Sequence, residues 1–203
     1  MRRFAGVALG DDVVPDEAEI LRSRHLLEKH GPTEATFDEV SQLLEERRLL
    51  LKSGTILGAT IIAAPSSTKN ATESREPELC QTRKGKTRHL GMKLHVGTSR
   101  RGLVQHLPAT HAATADTTQV EVLLHGEERE IFSDRACWSE AHRQRFREAG
   151  VKHQVNRRGN RHCPLTEHRR SINRSRSRHR ARAGHPFHVV KRRWCFMKKR
   201  RRR

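Results

Sequence analysis

The chain has 203 residues and a net charge of +19, from 42 Lys and Arg against 23 acids. Counting its 13 glycines, its apolar share is about 39%, below the roughly 45–50% of ordinary soluble domains, so one thin core is the most it can build. Its longest mostly apolar run, Thr55 to Pro65, is far short of the roughly 20 residues of a bilayer-spanning helix, and Asp11 and Asp12 interrupt the apolar stretch after Arg2-Arg3 before a secretory signal forms, which predicts a cytoplasmic protein.

In chain order, residues 15–31 have the pattern of a helix. Asp16 and Glu19 make a capping-box start, Ile20, Leu26 and Leu27 fall near one face, and Gly31 ends the pattern. Thr36 and Glu39 repeat the start signal for a second helix over 36–51, with Phe37, Val40, Leu43, Leu44 and Leu51 at spacings of three and four, and Gly54 stops it. The period then becomes strand-like. Residues 55–64 are rich in β-branched side chains and close at Pro65. The polar stretch 66–88 reads as a loop, and 90–97 and 103–110 as two strands of a hairpin joined at 98–102. A short helix over 117–125, a strand over 130–133, a helix over 139–149 and a strand over 151–155 follow. Beyond Arg157 the alternating arginines of SINRSRSRHRARAG suit a basic helix or disorder.

Charge divides the chain unevenly. Residues 141–203 hold 23 Lys and Arg against Glu148 and Glu167, whereas residues 1–140 hold 19 against 21 acids. A polycation this poor in apolar residues cannot fold alone, and it gains free energy by displacing counterions from a polyanion, which points to nucleic acid. Cys80, Cys137, Cys163 and Cys195 form no CxxC pair, and His185 and His188 have no Cys or carboxylate at ligand spacing, so neither zinc nor a disulfide framework is indicated. Asn70-Ala71-Thr72 is a formal glycosylation sequon, without meaning in a cytosolic chain.

Three segments carry more specific information: GTILGATIIAAPSSTKN (Gly54 to Asn70), LLHGEEREIFSDRACW (Leu123 to Trp138) and NRSRSRHRARAGHPFHVVK (Asn173 to Lys191). Together, and with RHLLEKHG and KGKTRHLGMKLHVG, they resemble bacterial insertion-sequence transposases of the DDE type, in the family named after insertion sequence five. The resemblance implies an α/β fold, an RNase H-like mixed sheet flanked by helices, here incomplete and with a basic, partly disordered C-terminal tail. It divides the chain into a helical hairpin (1–53), an RNase H-like core (54–156) and an Arg-rich segment (157–203) with the remnant of the third motif. It also implies Mg²⁺ as cofactor and DNA as partner, with terminal inverted repeats as the family's target and a location on the bacterial nucleoid. Two Mg²⁺ ions roughly 3.5–4 Å apart activate an attacking oxygen and stabilise the departing one, and as hard cations they require clustered Asp and Glu.

The chain departs from that pattern at the carboxylates. The family carries Asp in GTI-x-D-ATIIAAPSST, where this sequence has Gly58. In the second segment Asp134 is retained, with Arg135, Ala136 and Cys137 in place of the usual neighbours. In the third, Y-x2-R-x3-E-x6-K becomes Ser177, Arg180, Gly184 and Lys191. Asp134 is therefore the expected catalytic and metal-binding residue, Gly58 and Gly184 mark lost carboxylates, and Arg180 and Lys191 are the expected DNA contacts, with Arg174, Arg176 and Arg178 a general basic surface. A centre rebuilt from Asp134 and imidazoles such as His185 is disfavoured because imidazole is a poor Mg²⁺ ligand. The basic ending, Lys198 to Arg203, stands where the family continues through further helices, and the front lacks the family's usual upstream segment, as in a decayed copy. These features imply a transposase relative that has lost strand cleavage and transfer. The alternatives are a repurposed DNA-binding regulator and a product that does not fold stably.

Overall fold

A computed structural model describes residues 16–64, 80–157, 159 and 162–197. The chain separates into two compact units, Met1–Leu49 and Leu50–Arg203. In the first, α1 (Glu17–His30) begins with the expected reciprocal cap, Asp16 Oδ1 accepting from Glu19 N at 2.7 Å and Glu19 Oε2 accepting from Asp16 N at 3.2 Å. Gly31, in the left-handed conformation at φ 62°, ends α1 and also starts α2 (Pro32–Glu46). The second helix thus begins four residues before the expected Thr36, because Pro32 is preset for a first helical turn. Thr36 lies inside it, its hydroxyl donating to Pro32 O.

The second unit is built on a mixed sheet. Its strands are β1 (Gly54–Ala63), β2 (Cys80–Lys84), β3 (Thr87–Ser99), β4 (Val104–His106), β5 (Ala109–His111), β6 (Glu130–Ser133) and β7 (Lys152–Val155), in the order β2-β3-β1-β6-β7, with β4 and β5 also paired to β3. β1 runs antiparallel to β3 and parallel to β6, and β6 is parallel to β7. Because successive side chains of a strand face opposite ways, Ile56 and Leu57 serve the two faces. Leu57 joins Val120, Leu123, Ile131, Cys137 and Phe146, whereas Ile56 joins Val96, Phe132 and Ala183. A strand covered on both sides reads as a continuous apolar run, which is why β1 stands out in the sequence.

Three expectations need correction. The polar stretch 66–88 is not all loop: Cys80–Lys84 forms β2 as an antiparallel partner to β3, whose own span reaches from Thr87 to Ser99. Residues 65–79, including Asn70, lie outside the described residues, as do the terminal residues 198–203. The single strand expected over 103–110 is divided into β4 and β5 around Leu107 and Pro108; proline has no N–H to donate, and its carbonyl accepts from His95 N instead. The stretch 117–125 forms two 3-10 turns, Asp116–Gln119 and Glu121–Leu123, not an α-helix. The β-branched Thr117 and Thr118 are stiff at χ1 and favour α-helix less.

The remaining elements follow the sequence closely. Ser139 accepts from His142 N to start α3 (Glu140–Glu148), which buries Phe146. The alternating-arginine segment forms α4 (Glu167–Arg180), and the turn Ala181–Ala183 leads into α5 (Gly184–His188) and the π-helical turn Val189–Arg193. This basic segment packs onto the sheet through Ala183 and Phe187. At the opposite end of β1, the buried Glu128 carboxylate accepts from His125 N and Gly126 N at 2.8 Å each and from the Thr55 hydroxyl at 3.1 Å, which offsets its desolvation. None of the described helices is long and apolar enough to cross a membrane.

Gly97 of β3 has no room for a side chain, since an added Cβ would lie 2.6 Å from Leu123 O. Gly97→Ala is expected to destabilise the protein by about 1–3 kcal/mol, the range for overpacked cores. Urea denaturation measures this; an unchanged midpoint would show that the Leu123 turn yields freely.

Candidate active site at the ends of the two central strands

The parallel register of β1 and β6 pairs Gly54 with Glu130, Thr55 with Ile131 and Ile56 with Phe132. Continued by two residues, it sets Gly58 level with Asp134, just past the C-terminal end of β6. The third segment reaches the same place from α4 and α5. A Cβ built on Gly58 would lie 3.1 Å from Phe187 Cε2, 3.4 Å from Ala183 Cβ and 3.4 Å from Val96 Cγ1. The backbone at Gly184 opens α5 next to Ala183, and an added Cβ there meets nothing within 4 Å. The structure thus brings the three motif segments together at one end of the sheet, with a glycine on two of them.

Asp134 caps the 3-10 turn Arg135–Cys137, Oδ1 accepting from Arg135 N at 2.7 Å. Its Oδ2 lies 3.1 Å from Arg180 Nη2. Both carboxylate oxygens have partners, and the Arg180 guanidinium balances the charge of Asp134. Burial pushes the neighbouring Cys137 thiol up to about 12, so it stays protonated at neutral pH. Ser133, the last residue of β6, pairs its hydroxyl with His153 Nε2 at 2.9 Å; burial, then His142 and Arg176, push that imidazole down to about 4 and keep it neutral.

A Mg²⁺ pair takes hard oxygen ligands from several carboxylates. Gly58 and Gly184 offer no side-chain oxygen, Asp134 is engaged by Arg180, and no group of three or more His, Cys, Asp or Glu among the described residues is placed to hold a metal ion. The residues present do not fit the metal pair. His185 lies in α5 beside Gly184, outside any such group.

The basic residues divide into structural and surface groups. Lys191 Nζ donates to Ile61 O at 2.8 Å, tying the end of the third segment to β1. Arg182 donates to Arg100 O. Arg176 Nε donates to Gln154 Oε1 at 2.9 Å and Nη1 to Val155 O at 2.6 Å, fastening α4 to the end of β7. Arg174 and Arg170 pair with Glu167, which holds that carboxyl below its ordinary value. Arg178, Arg192 and Arg193 face solvent. Sequence pattern alone does not point to Phe187 or to the Arg180 pair.

Because Phe187 crowds the space beside Gly58, Gly58→Asp is expected to cost about 1–3 kcal/mol in urea denaturation. That cost shrinks in a Phe187→Ala background, where the crowding ring is gone. An identical penalty in both backgrounds would show that Phe187 does not limit this position.

The comparison with known families agrees with the geometry. Residues 50–203 match the family described as Transposase DDE domain, a match that starts where the second compact unit starts. Members of this family act on DNA and typically use a divalent metal such as Mg²⁺. The mixed sheet flanked by helices is the RNase H-like arrangement of that domain. The chain belongs to the DDE transposase family.

Proposed function

We propose that this protein is a transposase relative, of the group named after insertion sequence five, that holds DNA through its Arg-rich C-terminal segment and neither cuts nor joins it. The observation that carries the reading is the state of the three motif positions: Gly58 and Gly184 have no ligand atoms, and Asp134 spends its charge on Arg180. In-line attack on a phosphodiester requires metal to gather the attacking and leaving oxygens, and one engaged carboxylate supplies too little negative charge for that. Duplex binding needs none of this chemistry. It needs cations near phosphates, which Arg178, Arg192 and Arg193 present on the surface, in keeping with a cytoplasmic, nucleoid-associated protein.

Within this reading Arg180 and Lys191 take different roles from the surface arginines. Arg180 neutralises Asp134, and Lys191 straps the segment to β1. Neither is the main source of phosphate affinity. Binding is expected to show little sequence preference, since no recognised base-reading motif is present.

Two measurements test the proposal. In fluorescence anisotropy on duplex DNA, affinity should fall steeply as salt rises, and Arg178→Ala with Arg192→Ala should lower the slope of log K against log salt by about one for each phosphate no longer neutralised. An affinity independent of salt would overturn the DNA-binding half. In a nicking assay on supercoiled plasmid carrying element ends, with Mg²⁺ or Mn²⁺, the wild type should match Asp134→Ala in leaving the plasmid intact. Nicking by the wild type that Asp134→Ala abolishes would overturn the other half.

A further inference from the structure

Directly after the π-helical turn Val189–Arg193, the side chains of Trp194, Phe196 and Met197 are 68%, 44% and 52% exposed. Backbone hydrogen bonds hold them there. Trp194 N donates to Val189 O and Phe196 N to Val190 O, each at 3.0 Å, and Ala63 N, at the end of β1, donates to Met197 O at 3.3 Å. Cys195 lies in the left-handed region at φ 53°, and its thiol donates to Arg192 O at 3.6 Å. Lys191 Nζ on Ile61 O ties the preceding turn to the same strand. The chain is thus fastened to the sheet while three large apolar side chains within four residues stay in water, the mark of an interaction surface. Cations flank them on both sides. Arg192 and Arg193 are exposed, the sequence continues with six more from Lys198 to Arg203, and the last acid before them in the chain is Glu167.

We propose that this turn docks on the surface of an anionic lipid bilayer, Trp194, Phe196 and Met197 entering the headgroup boundary while Arg192 and Arg193 meet the lipid phosphates. The interleaving of hydrocarbon with uncompensated charge selects this partner. An indole suits the boundary because its ring is apolar and its N–H can reach the headgroups, and each cation near an anionic leaflet strengthens binding by about fivefold. Neither signal anchors a protein firmly by itself, whereas an apolar anchor joined to a basic cluster does. Duplex DNA would take the cations through its phosphates and leave the three apolar side chains in water. A peptide partner needs a groove or a helix face to lie on, and a single turn after the five-residue α5 supplies neither. A fluid bilayer closes around exposed side chains without a preformed groove. Since none of the described helices is long and apolar enough to cross it, the association is with the surface. Bilayer and DNA then compete for Arg192 and Arg193, and the apolar side chains belong to the bilayer alone.

The sequence has two tryptophans, so the full chain carrying Trp138→Phe reports on Trp194 alone. This protein is titrated with vesicles of phosphatidylcholine and with vesicles of phosphatidylcholine mixed with phosphatidylglycerol. Only the mixed vesicles should shift the Trp194 emission to the blue, as the indole leaves water. In co-sedimentation of the full chain with the mixed vesicles, Trp194→Ala and Phe196→Ala should each weaken binding by about tenfold, the scale for returning one aromatic side chain to water, while Trp194→Phe should keep most of it. Both Ala variants should leave duplex DNA affinity within about twofold, because phosphate contact needs the cations and not the rings. Arg192→Ala with Arg193→Ala should weaken binding to the mixed vesicles and to DNA together. Absence of a blue shift, or vesicle binding that survives Trp194→Ala with Phe196→Ala, would overturn the proposal. A fall in DNA affinity as large as the fall in vesicle affinity on Trp194→Ala would make the turn a nucleic-acid surface and would also overturn it. So would a blue shift that grows with protein concentration in the absence of vesicles, since a second copy would then cover the turn. Failure to bind DNA in any of these proteins would count against the DNA-holding function, a result separate from the vesicle arm.

Discussion

The packing of Phe187 and Ala183 against β1 at Gly58 is the constraint on which the rest of this end of the molecule depends. β1 is buried on both faces, so its neighbours fix where each of its residues faces, and the level of Gly58 with Asp134 follows from the parallel register with β6. With no side chain at Gly58, the α5 aromatic approaches the strand directly and completes a small apolar cluster with Ile56, Val96 and Phe132. The basic segment, which has too few apolar residues to fold by itself, gains its order by this docking. The space that a side chain at position 58 would take is filled by hydrocarbon.

Electrostatics at the same place are balanced without a metal. An isolated carboxylate facing Arg180 needs no metal to balance it, and the pair is partly solvated, with 59% of the Asp134 side chain exposed. Exposed pairs of this kind contribute about 0–1 kcal/mol, so the Arg180 contact does not hold the fold together. Its consequence is chemical: the Asp134 carboxylate already has a cation beside it. The anchoring of the third segment comes instead from Phe187 and Ala183, from Lys191 on Ile61 O and from Arg176 on the end of β7. These contacts use the inner cations of the segment as struts and leave the outer ones to solvent.

Much of this is legible in the sequence where the physics is local. Asp16 with Glu19 and the β-branched run of β1 each announce their element through short-range chemistry. β2 is not legible because CQTRK has no apolar alternation; it is a strand only because β3 offers a backbone ladder for it to pair with. The start of α2 is misread because Thr36 looks like a cap, whereas the left-handed Gly31 ahead of Pro32 has already turned the chain. At the candidate site the resemblance points to positions 58, 134 and 184, two of them glycines. It could not show that Arg180 faces Asp134 or that Phe187 reaches Gly58, since both depend on how α4 and α5 dock on the sheet, with Phe187 129 residues from Gly58 and Arg180 46 from Asp134 in the chain.

The claim at the centre of this account is the proposal that Asp134, faced by Arg180 and with glycines at 58 and 184, holds no metal ion. Isothermal calorimetry of the full chain with Mn²⁺, repeated on Asp134→Ala, tests it without reference to activity. The account predicts no saturable heat beyond weak surface association, and the same trace for both proteins. A saturable Mn²⁺ site in the wild type that disappears in Asp134→Ala would contradict it, because Asp134 would then be ligating a cation in spite of Arg180.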